Sequence, residues 1–283
     1  MNRAQRRRRA GRSLIRRRAL IRCLHGATLW LAFGAAVAAP APELVWRLVA
    51  SHPHDTAAFT QGLVLHADVL FESTGLYGHS ELRRVEPASG RVLARQPLAA
   101  NLFGEGLARV GEHLYQLTWR SGRGFVYRAA DLERVAEFRY DGEGWGLAFD
   151  GQQLYMSDGS ARLRVVDPHG FRERARLLVH DDGAPVQRLN ELEFADGHLY
   201  ANVWQTDRIA RIDPATGRVT GWLNLSGLLS PMWSAAVDVL NGIAWDADRR
   251  QLWVTGKLWP RVFVIEIADD AKHDAPSPPR PGL

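Results

Sequence analysis

Five short stretches of this 283-residue chain carry side chains suited to proton transfer and to holding a small polar molecule by hydrogen bonds. They are Phe59-Thr60-Gln61-Gly62-Leu63, Phe103-Gly104-Glu105-Gly106-Leu107, Glu143-Gly144-Trp145-Gly146-Leu147, Leu189-Asn190-Glu191-Leu192-Glu193 and Leu240-Asn241-Gly242-Ile243. In the second, one carboxylate stands between two glycines, just before a strand-like run. If the five converge in space, they bring together Gln61, Glu105, Trp145, Asn190 or Glu191, and Asn241. A carboxylate among amides and indoles can take up and return a proton, while the amides orient a carbonyl or stabilise an oxyanion. No obvious nucleophile accompanies them. A buried carboxylate is costly unless it is paired or useful, so Glu105 reads either as the acid/base group of an enzyme or as half of a structural ion pair. The glycines and indoles have plainer readings too, as tight turns and as packing.

The elements that must position these residues are repeats, because self-similarity at a fixed period is present. Positions 62, 106, 146, 192 and 242 lie 40 to 50 residues apart. After each comes a turn, at Ala67-Asp68, Gly111-Glu112, Asp150-Gly151, Asp196-Gly197 and Ala247-Asp248, of the kind that closes hairpins. A Leu-aromatic pair then opens a strand: Leu70-Phe71, Leu114-Tyr115, Leu154-Tyr155, Leu199-Tyr200 and Leu252-Trp253. A third β-rich run follows at 82–85, 124–127, 163–166, 209–212 and 262–267, and a fourth at 91–94, 134–139, 174–179 and 218–225. The fifth copy lacks its fourth strand, and the run Leu44–Val49 near the N-terminus has no copy of its own. If that run completes the last blade, the ring closes and no sheet edge is left exposed. Four strands every 40 to 50 residues mark a propeller blade. The chain is therefore expected to be all-β: a five-bladed β-propeller with four antiparallel strands per blade, over residues 43–267, closed by its N-terminal strand. The first strand of each blade lines the central channel, and the ends of the second strands add Glu72, Trp119, Asp158, Trp204 and Lys257 to its mouth. Ser226 to Val239, with Met232, Trp233 and Ala235-Ala236, is expected to form a short helical insertion, and 268–283 a loose Pro-rich tail.

The first 38 residues differ from the rest, with ten Arg and no acidic side chain. A basic stretch to Arg22, an apolar run from Cys23 to Ala38 and the small-x-small end Ala36-Val37-Ala38 make an export leader. Residues 39–42 are then a linker. Arg17-Arg18-Ala19-Leu20-Ile21-Arg22 loosely fits a twin-arginine pattern, so the route is Sec or twin-arginine and the destination periplasmic or secreted. The apolar run is short for a spanning helix, and no stable membrane insertion is expected after its removal. The chain carries 36 basic and 31 acidic residues, a net +5; without the ten leader arginines, 26 basic face 31 acidic, a net −5. The high pI belongs to the leader, which removes the main support for nucleic-acid binding. Cys23, the single cysteine, also lies there.

Metal and phosphate motifs are missing: there is no His-Glu-x-x-His run, the only close histidine pair is His52-Pro53-His54, and no Walker or Rossmann glycine loop bridges a strand to a helix. Several further stretches do carry a family likeness. They include Ala58-Phe59-Thr60-Gln61-Gly62-Leu63, Phe71-Glu72-Ser73-Thr74-Gly75-Leu76-Tyr77-Gly78, Phe103-Gly104-Glu105-Gly106-Leu107, Gly144-Trp145-Gly146-Leu147, Arg188-Leu189-Asn190-Glu191-Leu192-Glu193, Asn202-Val203-Trp204-Gln205-Thr206-Asp207 and Val254-Thr255-Gly256-Lys257-Leu258-Trp259-Pro260. Through these, in order and across all five repeats, the chain resembles the plant and bacterial type of glutamine cyclotransferase. The resemblance implies a five-bladed propeller that converts N-terminal glutamine of peptides or proteins to pyroglutamate with release of ammonia and without zinc; no cofactor is expected, and the protein is expected to act as a monomer. It places the site on Phe59, Gln61, Glu105, Trp119, Trp145, Asn190, Trp204 and Lys257, with Glu105 as catalytic residue and the others binding substrate. Glu143 stands where some relatives are expected to have Asp. The residues by themselves also leave open a non-catalytic propeller that binds peptide ends or glycans through a Trp-rich mouth, and a metal-dependent propeller hydrolase such as a lactonase.

Overall fold

The computed structural model describes residues 39–230, 232–233 and 237–268, and every regular element within them is a β-strand. β1 (Trp46–Pro53) comes first. β2 (Thr60–His66), β3 (Val69–Thr74), β4 (Glu81–Glu86) and β5 (Arg91–Pro97) form blade I. β6 (Gly104–Val110), β7 (His113–Thr118), β8 (Arg123–Arg128) and β9 (Arg134–Arg139) form blade II. β10 (Leu147–Phe149), β11 (Leu154–Met156), β12 (Arg162–Asp167) and β13 (Arg172–Leu178) form blade III, and a small hairpin follows, β14 (His180–Asp181) and β15 (Ala184–Pro185). β16 (Leu189–Ala195), β17 (His198–Val203), β18 (Arg208–Ile212) and β19 (Val219–Asn224) form blade IV. β20 (Leu240–Asp246), β21 (Gln251–Gly256) and β22 (Arg261–Ile267) form blade V, whose fourth, outermost strand is β1. β1 runs antiparallel to β22, with Trp46 opposite Ile267 and Pro53 opposite Arg261. The five-bladed architecture and the closure by the N-terminal strand are those expected from the repeats.

Local chemistry explains the strands. The second and third strands are mostly buried, with charged side chains such as Glu72, Glu81 and Arg83 among the aliphatic and aromatic ones, whereas the outer strands β5, β9 and β13 alternate or face water. The hairpin turns twist as two-residue turns must: Ala67 and Asp68 both adopt positive φ, 49° and 57°. The β14–β15 hairpin turns on Asp182-Gly183 in the same conformation, φ 47° and 79°. Two details differ from the sequence reading. The N-terminal strand starts two residues after Leu44. Leu44 itself pairs with blade IV, donating its N–H to the Trp222 carbonyl at 2.7 Å, and its side chain fills the space that a Cβ would take at Gly221. The expected helical insertion is not found in the described part of 226–239, which forms turns, with Gly227 at φ +82°. Residue 231 and residues 234–236, the leader with its cleavage site, and the tail from 269 lie outside the described residues. No helix among the described residues is long and apolar enough to cross a membrane.

The inner strands set the dimensions of the centre. β2 packs against β6 and β20, β10 against β6 and β16, and β16 against β20. In four of them the register slips by a bulge at the start: Thr60/Gly62, Gly104/Leu107, Leu189/Leu192 and Leu240/Ile243. After the bulges, Leu63, Leu107, Leu147, Leu192 and Ile243 are equivalent, opposite Glu72, Gln116, Met156, Ala201 and Val254. The preceding residues are Gly62, Gly106, Gly146, Glu191 and Gly242, so blade IV is aligned through Glu191 rather than Leu192. A Cβ at Gly62 would lie 2.5 Å from the Leu107 nitrogen, one at Gly106 2.6 Å from the Gly146 carbonyl carbon, and one at Gly146 2.0 Å from the Asn190 oxygen. Glu191 is the one side chain at this level. Its two carboxyl oxygens accept the N–H of Leu63 in blade I at 3.3 Å and of Ile243 in blade V at 2.9 Å. Burial, reinforced by the neighbouring Glu193, pushes its carboxyl well above the usual range.

Glu191→Ala leaves both N–H groups unpaired. At about 1–3 kcal/mol for each buried unsatisfied donor, it should destabilise the protein by roughly 2–6 kcal/mol. Glu191→Gln, which keeps one acceptor, should cost about half as much. Urea unfolding of the two variants checks this, and a Glu191→Gln variant as stable as the unaltered protein would show that the side chain acts by filling space rather than by accepting two hydrogen bonds.

Candidate active site

The bulged starts of the inner strands open into a cavity of about 470 Å³. All eight residues named from the sequence line it: Phe59, Gln61, Glu105, Trp119, Trp145, Asn190, Trp204 and Lys257. The topology accounts for their convergence. Gln61, Glu105 and Asn190 occupy the bulges of blades I, II and IV, and Trp145 the matching position before β10. Trp119, Trp204 and Lys257 each immediately follow the last residue of a second strand, β7, β17 and β21. The cavity is also lined by Leu76, Phe103, Gln205, Asp238 and Val239. Phe103 was in view in the sequence, two residues before Glu105. Asp238 and Val239 come from the irregular segment ahead of β20, which carries no repeat signal.

Aromatic rings make the walls. Phe103 meets Phe59 edge-on at 6.1 Å and Trp119 at 5.6 Å, and Trp145 stands at 86° to Trp204 at 5.6 Å. Glycine makes room for two of these rings. A Cβ at Gly75 would lie 2.3 Å from the Phe103 ring, and one at Gly159, which also sits at φ +82°, 2.9 Å from the Trp145 ring.

Glu105 is 4% exposed. Burial pushes its carboxyl well above the usual range; the Lys257 ammonium and a hydrogen bond from Gln61 oppose the shift, and the Glu143 carboxylate adds to it. Burial likewise lowers Lys257, against the pull of Glu105 and Asp238. The Lys257 ammonium lies 4.8 Å from the centre of the Phe59 ring, a cation–π contact. The Gln61 amide has a fixed orientation: its Oε1 accepts from Asn241 Nδ2 at 3.2 Å, which leaves its NH₂ for Glu105. Asn241 Nδ2 also donates to the Thr60 carbonyl at 3.0 Å. Asn241 thus lies behind the cavity and holds Gln61. Asn190 anchors its backbone carbonyl on Ser157 Oγ at 2.6 Å, while its side-chain amide has no partner among the described residues.

Some expectations about the mouth are corrected. The indole N–H groups of Trp119 and Trp145, of which the sequence says nothing, do not donate into the cavity, because both are bonded to Glu143 Oε2, at 2.8 and 3.0 Å. Glu191 points to the axis rather than the cavity. Glu72 and Asp158 do not line it either. Asp158 accepts the N–H of Ser160 at 3.0 Å. Glu72 accepts from Thr60 Oγ1 at 2.7 Å and pairs with His54 Nε2 at 2.9 Å, and the other His54 nitrogen contacts the Trp259 carbonyl at 2.7 Å.

A closed propeller with one buried, proton-avid carboxylate set among amides, a lysine and aromatic walls defines a class: enzymes that move protons on a small polar group. The chain belongs to the glutamine cyclotransferase family, whose family model matches residues 23–267. That match begins inside the stretch read as leader. Over 225 residues the chain is 44% identical to the glutaminyl-peptide cyclotransferase of Arabidopsis thaliana, covering 78% of this chain and 70% of the relative. The crystal structure of Myxococcus xanthus glutaminyl cyclase matches with a TM-score of 0.75 and 39% identity, over 81% of this chain and 100% of that one.

The electrostatic arrangement has a direct consequence. Lys257→Met removes the cation that stabilises ionised Glu105, so the Glu105 carboxyl should titrate at a higher pH than in the unaltered protein. Carboxyl ¹³C NMR checks this, and an unmoved titration would mean that the lysine charge does not reach Glu105.

Proposed function

We propose that the protein cyclises the N-terminal glutamine of peptides and proteins to pyroglutamate and releases ammonia, with Glu105 carrying the proton and no zinc required. The observation that carries this reading is the placement of Glu105: buried, proton-avid, bonded to Gln61 and walled by aromatic rings in the one cavity lined by all eight residues. The α-amine nitrogen of the substrate attacks the γ-carboxamide carbon and passes a proton to the Glu105 carboxylate. The carbonyl oxygen becomes an oxyanion, for which the free Asn190 amide and the Lys257 ammonium are the donors at hand. The carbon–nitrogen bond to the amide group then breaks, and Glu105 returns the proton to that nitrogen, which leaves as ammonia. One hydrogen has moved from the amine to the leaving group, and Glu105 ends as it began. A carboxyl raised towards the working pH suits both halves of this cycle, since it is neither too weak a base nor too weak an acid. Because the attack is intramolecular, the indole and phenyl walls contribute by holding the glutamine side chain folded for ring closure. The substrate is thus a chain end, and the acidic balance beyond the leader gives no support to a nucleic-acid partner. The leader's composition supports an exported protein that is not held in the membrane.

Incubation with a Gln-initiated peptide should release ammonia at a rate indifferent to a chelator. Glu105→Gln should lower kcat by roughly 10²–10⁴-fold with the thermal midpoint retained. The kcat/KM of the unaltered protein should rise with pH through the ionisation of Glu105, since the base form starts the reaction, and this limb should lie above the ordinary Glu value of about 4.3. Peptide binding without product would favour a non-catalytic propeller, loss of turnover with chelator a metal-dependent enzyme, and full activity of Glu105→Gln would sink the assignment of the base.

A further inference from the structure

Glu143 does not line the cavity, yet it holds two of its walls. Its Oε2 accepts both indole N–H groups, from Trp119 in blade II at 2.8 Å and from Trp145 in blade III at 3.0 Å. Its Oε1 accepts Arg120 Nε at 2.9 Å, and the Arg120 guanidinium stacks 3.7 Å over the Trp119 ring. The backbone repeats the connection, since the Gly144 N–H donates to the Trp119 carbonyl at 3.0 Å. The carboxylate thus adds a side-chain tie at the rim to the backbone bonds between the two blades.

We propose that Glu143 is a positioning residue of the cyclisation: its carboxylate clasps the two indole walls across the seam between blades II and III and sets a fixed negative charge near Glu105, without touching substrate. The proposal rests on the function given above. Three features carry it. Charge-assisted hydrogen bonds are stronger and shorter than neutral ones, so a shared carboxylate oxygen fixes both indole planes. The same bonds withdraw two N–H donors from the cavity and leave the ring faces to the methylene groups of the substrate. The clasp also stays ionised: burial alone would raise Glu143, but hydrogen bonds from Trp145, Arg120 and Trp119 hold it below the usual carboxylate range. The charges that reach Glu105 come from Lys257 in blade V, which favours its ionised form, and from Glu143 before blade III, which opposes it; Tyr140, in the same loop, faces Glu105 as a neutral phenol pushed up to about 12 by burial. Arg120 shields Glu143 on the solvent side. Glu143 therefore helps to keep the proton affinity of Glu105 high, while Lys257 limits it.

Three substitutions separate position from charge. Glu143→Gln keeps an acceptor and loses the charge, Glu143→Asp keeps the charge on a shorter arm, and Glu143→Ala loses both. With a Gln-initiated peptide, the acid limb of kcat/KM should move to lower pH in Glu143→Gln and Glu143→Ala, because Glu105 then ionises more easily, and should stay in place in Glu143→Asp. KM should rise most in Glu143→Ala, with kcat/KM at its best pH down roughly tenfold or more, and be partly restored in Glu143→Asp. The clasp itself is read without catalysis: the indole N–H resonances of Trp119 and Trp145 lie downfield when bonded to a carboxylate and should both move upfield in Glu143→Ala. Unmoved resonances would overturn the clasp. Moved resonances with an unshifted acid limb and unchanged KM would reduce Glu143 to a structural role and overturn its part in the reaction. If the unaltered protein turns over no Gln peptide, the function fails instead, and the resonances still report on the clasp.

Discussion

The structure depends on how closely five inner strands approach one axis. Five blades leave a narrow centre, and at the level just above the bulges there is no room for a Cβ between neighbours. Blades I, II and III answer with glycine at 62, 106 and 146, where a Cβ would meet a neighbouring backbone, and blade V has Gly242, whose φ of +119° favours glycine. The approach is close enough for backbone bonds between blades, as where the Gly106 N–H meets the Trp145 carbonyl at 2.7 Å. Four glycines leave the axis short of side chain and two N–H groups, of Leu63 and Ile243, short of acceptors. Glu191 supplies both from the fifth blade. Its elevated carboxyl follows from the same crowding, because a site too tight for Cβ atoms is also too dry for a charge.

That constraint aims the chemistry. Four of the five inner strands bulge just before the residue that meets the neighbouring blade, and the residue in the bulge turns towards the mouth. Gln61, Glu105 and Asn190 are those residues in blades I, II and IV, and Asn241 in blade V. Asn241 faces Gln61 rather than the cavity, which fixes the end of the Gln61 amide that meets Glu105. The polar set is therefore held by backbone geometry and by one further layer of hydrogen bonds. The aromatic walls keep water out, and the resulting low dielectric is what raises Glu105 and lowers Lys257 together.

Much of this was legible as a repeat. The glycines and the Leu-aromatic pairs recur because every blade meets the same axis and the same neighbour, so their spacing gives blade number, strand order and the residues at the mouth. What was not legible has specific causes. Blade IV was aligned one residue late because Glu191 replaces the glycine that marks the other copies, and only strand register identifies the replacement. The Asp182-Gly183 hairpin carried a strong turn signal, but it lay next to a run already read as an outer strand. The partners of the indole N–H groups were invisible: Trp119 and Glu143 are 24 residues apart and meet only because adjacent blades pack face to face. Leu76, Gln205 and Asp238 sit in loops, where side-chain direction follows from local φ values such as +84° at Leu76 and +65° at Gln205 rather than from any period.

The site also straddles the place where the ring closes. Lys257 belongs to blade V, while Phe59 and Gln61 belong to blade I, and nearly two hundred residues of chain separate them. Three features bind this seam besides β1. The Leu258 N–H donates to the Ala58 carbonyl at 2.7 Å. Asn241 reaches from blade V to Thr60 and Gln61. His54 bridges the Trp259 carbonyl to Glu72, which also holds the Thr60 hydroxyl. Burial alone would discharge both His54 and Glu72. Set against each other, and with Arg83 near Glu72, the histidine is instead raised and the carboxyl lowered from their ordinary values. A buried ion pair is weak evidence for stability; what it supplies here is direction, since each partner accepts only one arrangement of the other. The residues it fixes, Thr60 and Trp259, are next to Gln61 and two from Lys257. Placing the lysine and the amide on opposite sides of the closure makes the geometry around Glu105 depend on a completed ring, which is a physical reason for the last blade to be finished by the first strand rather than left open.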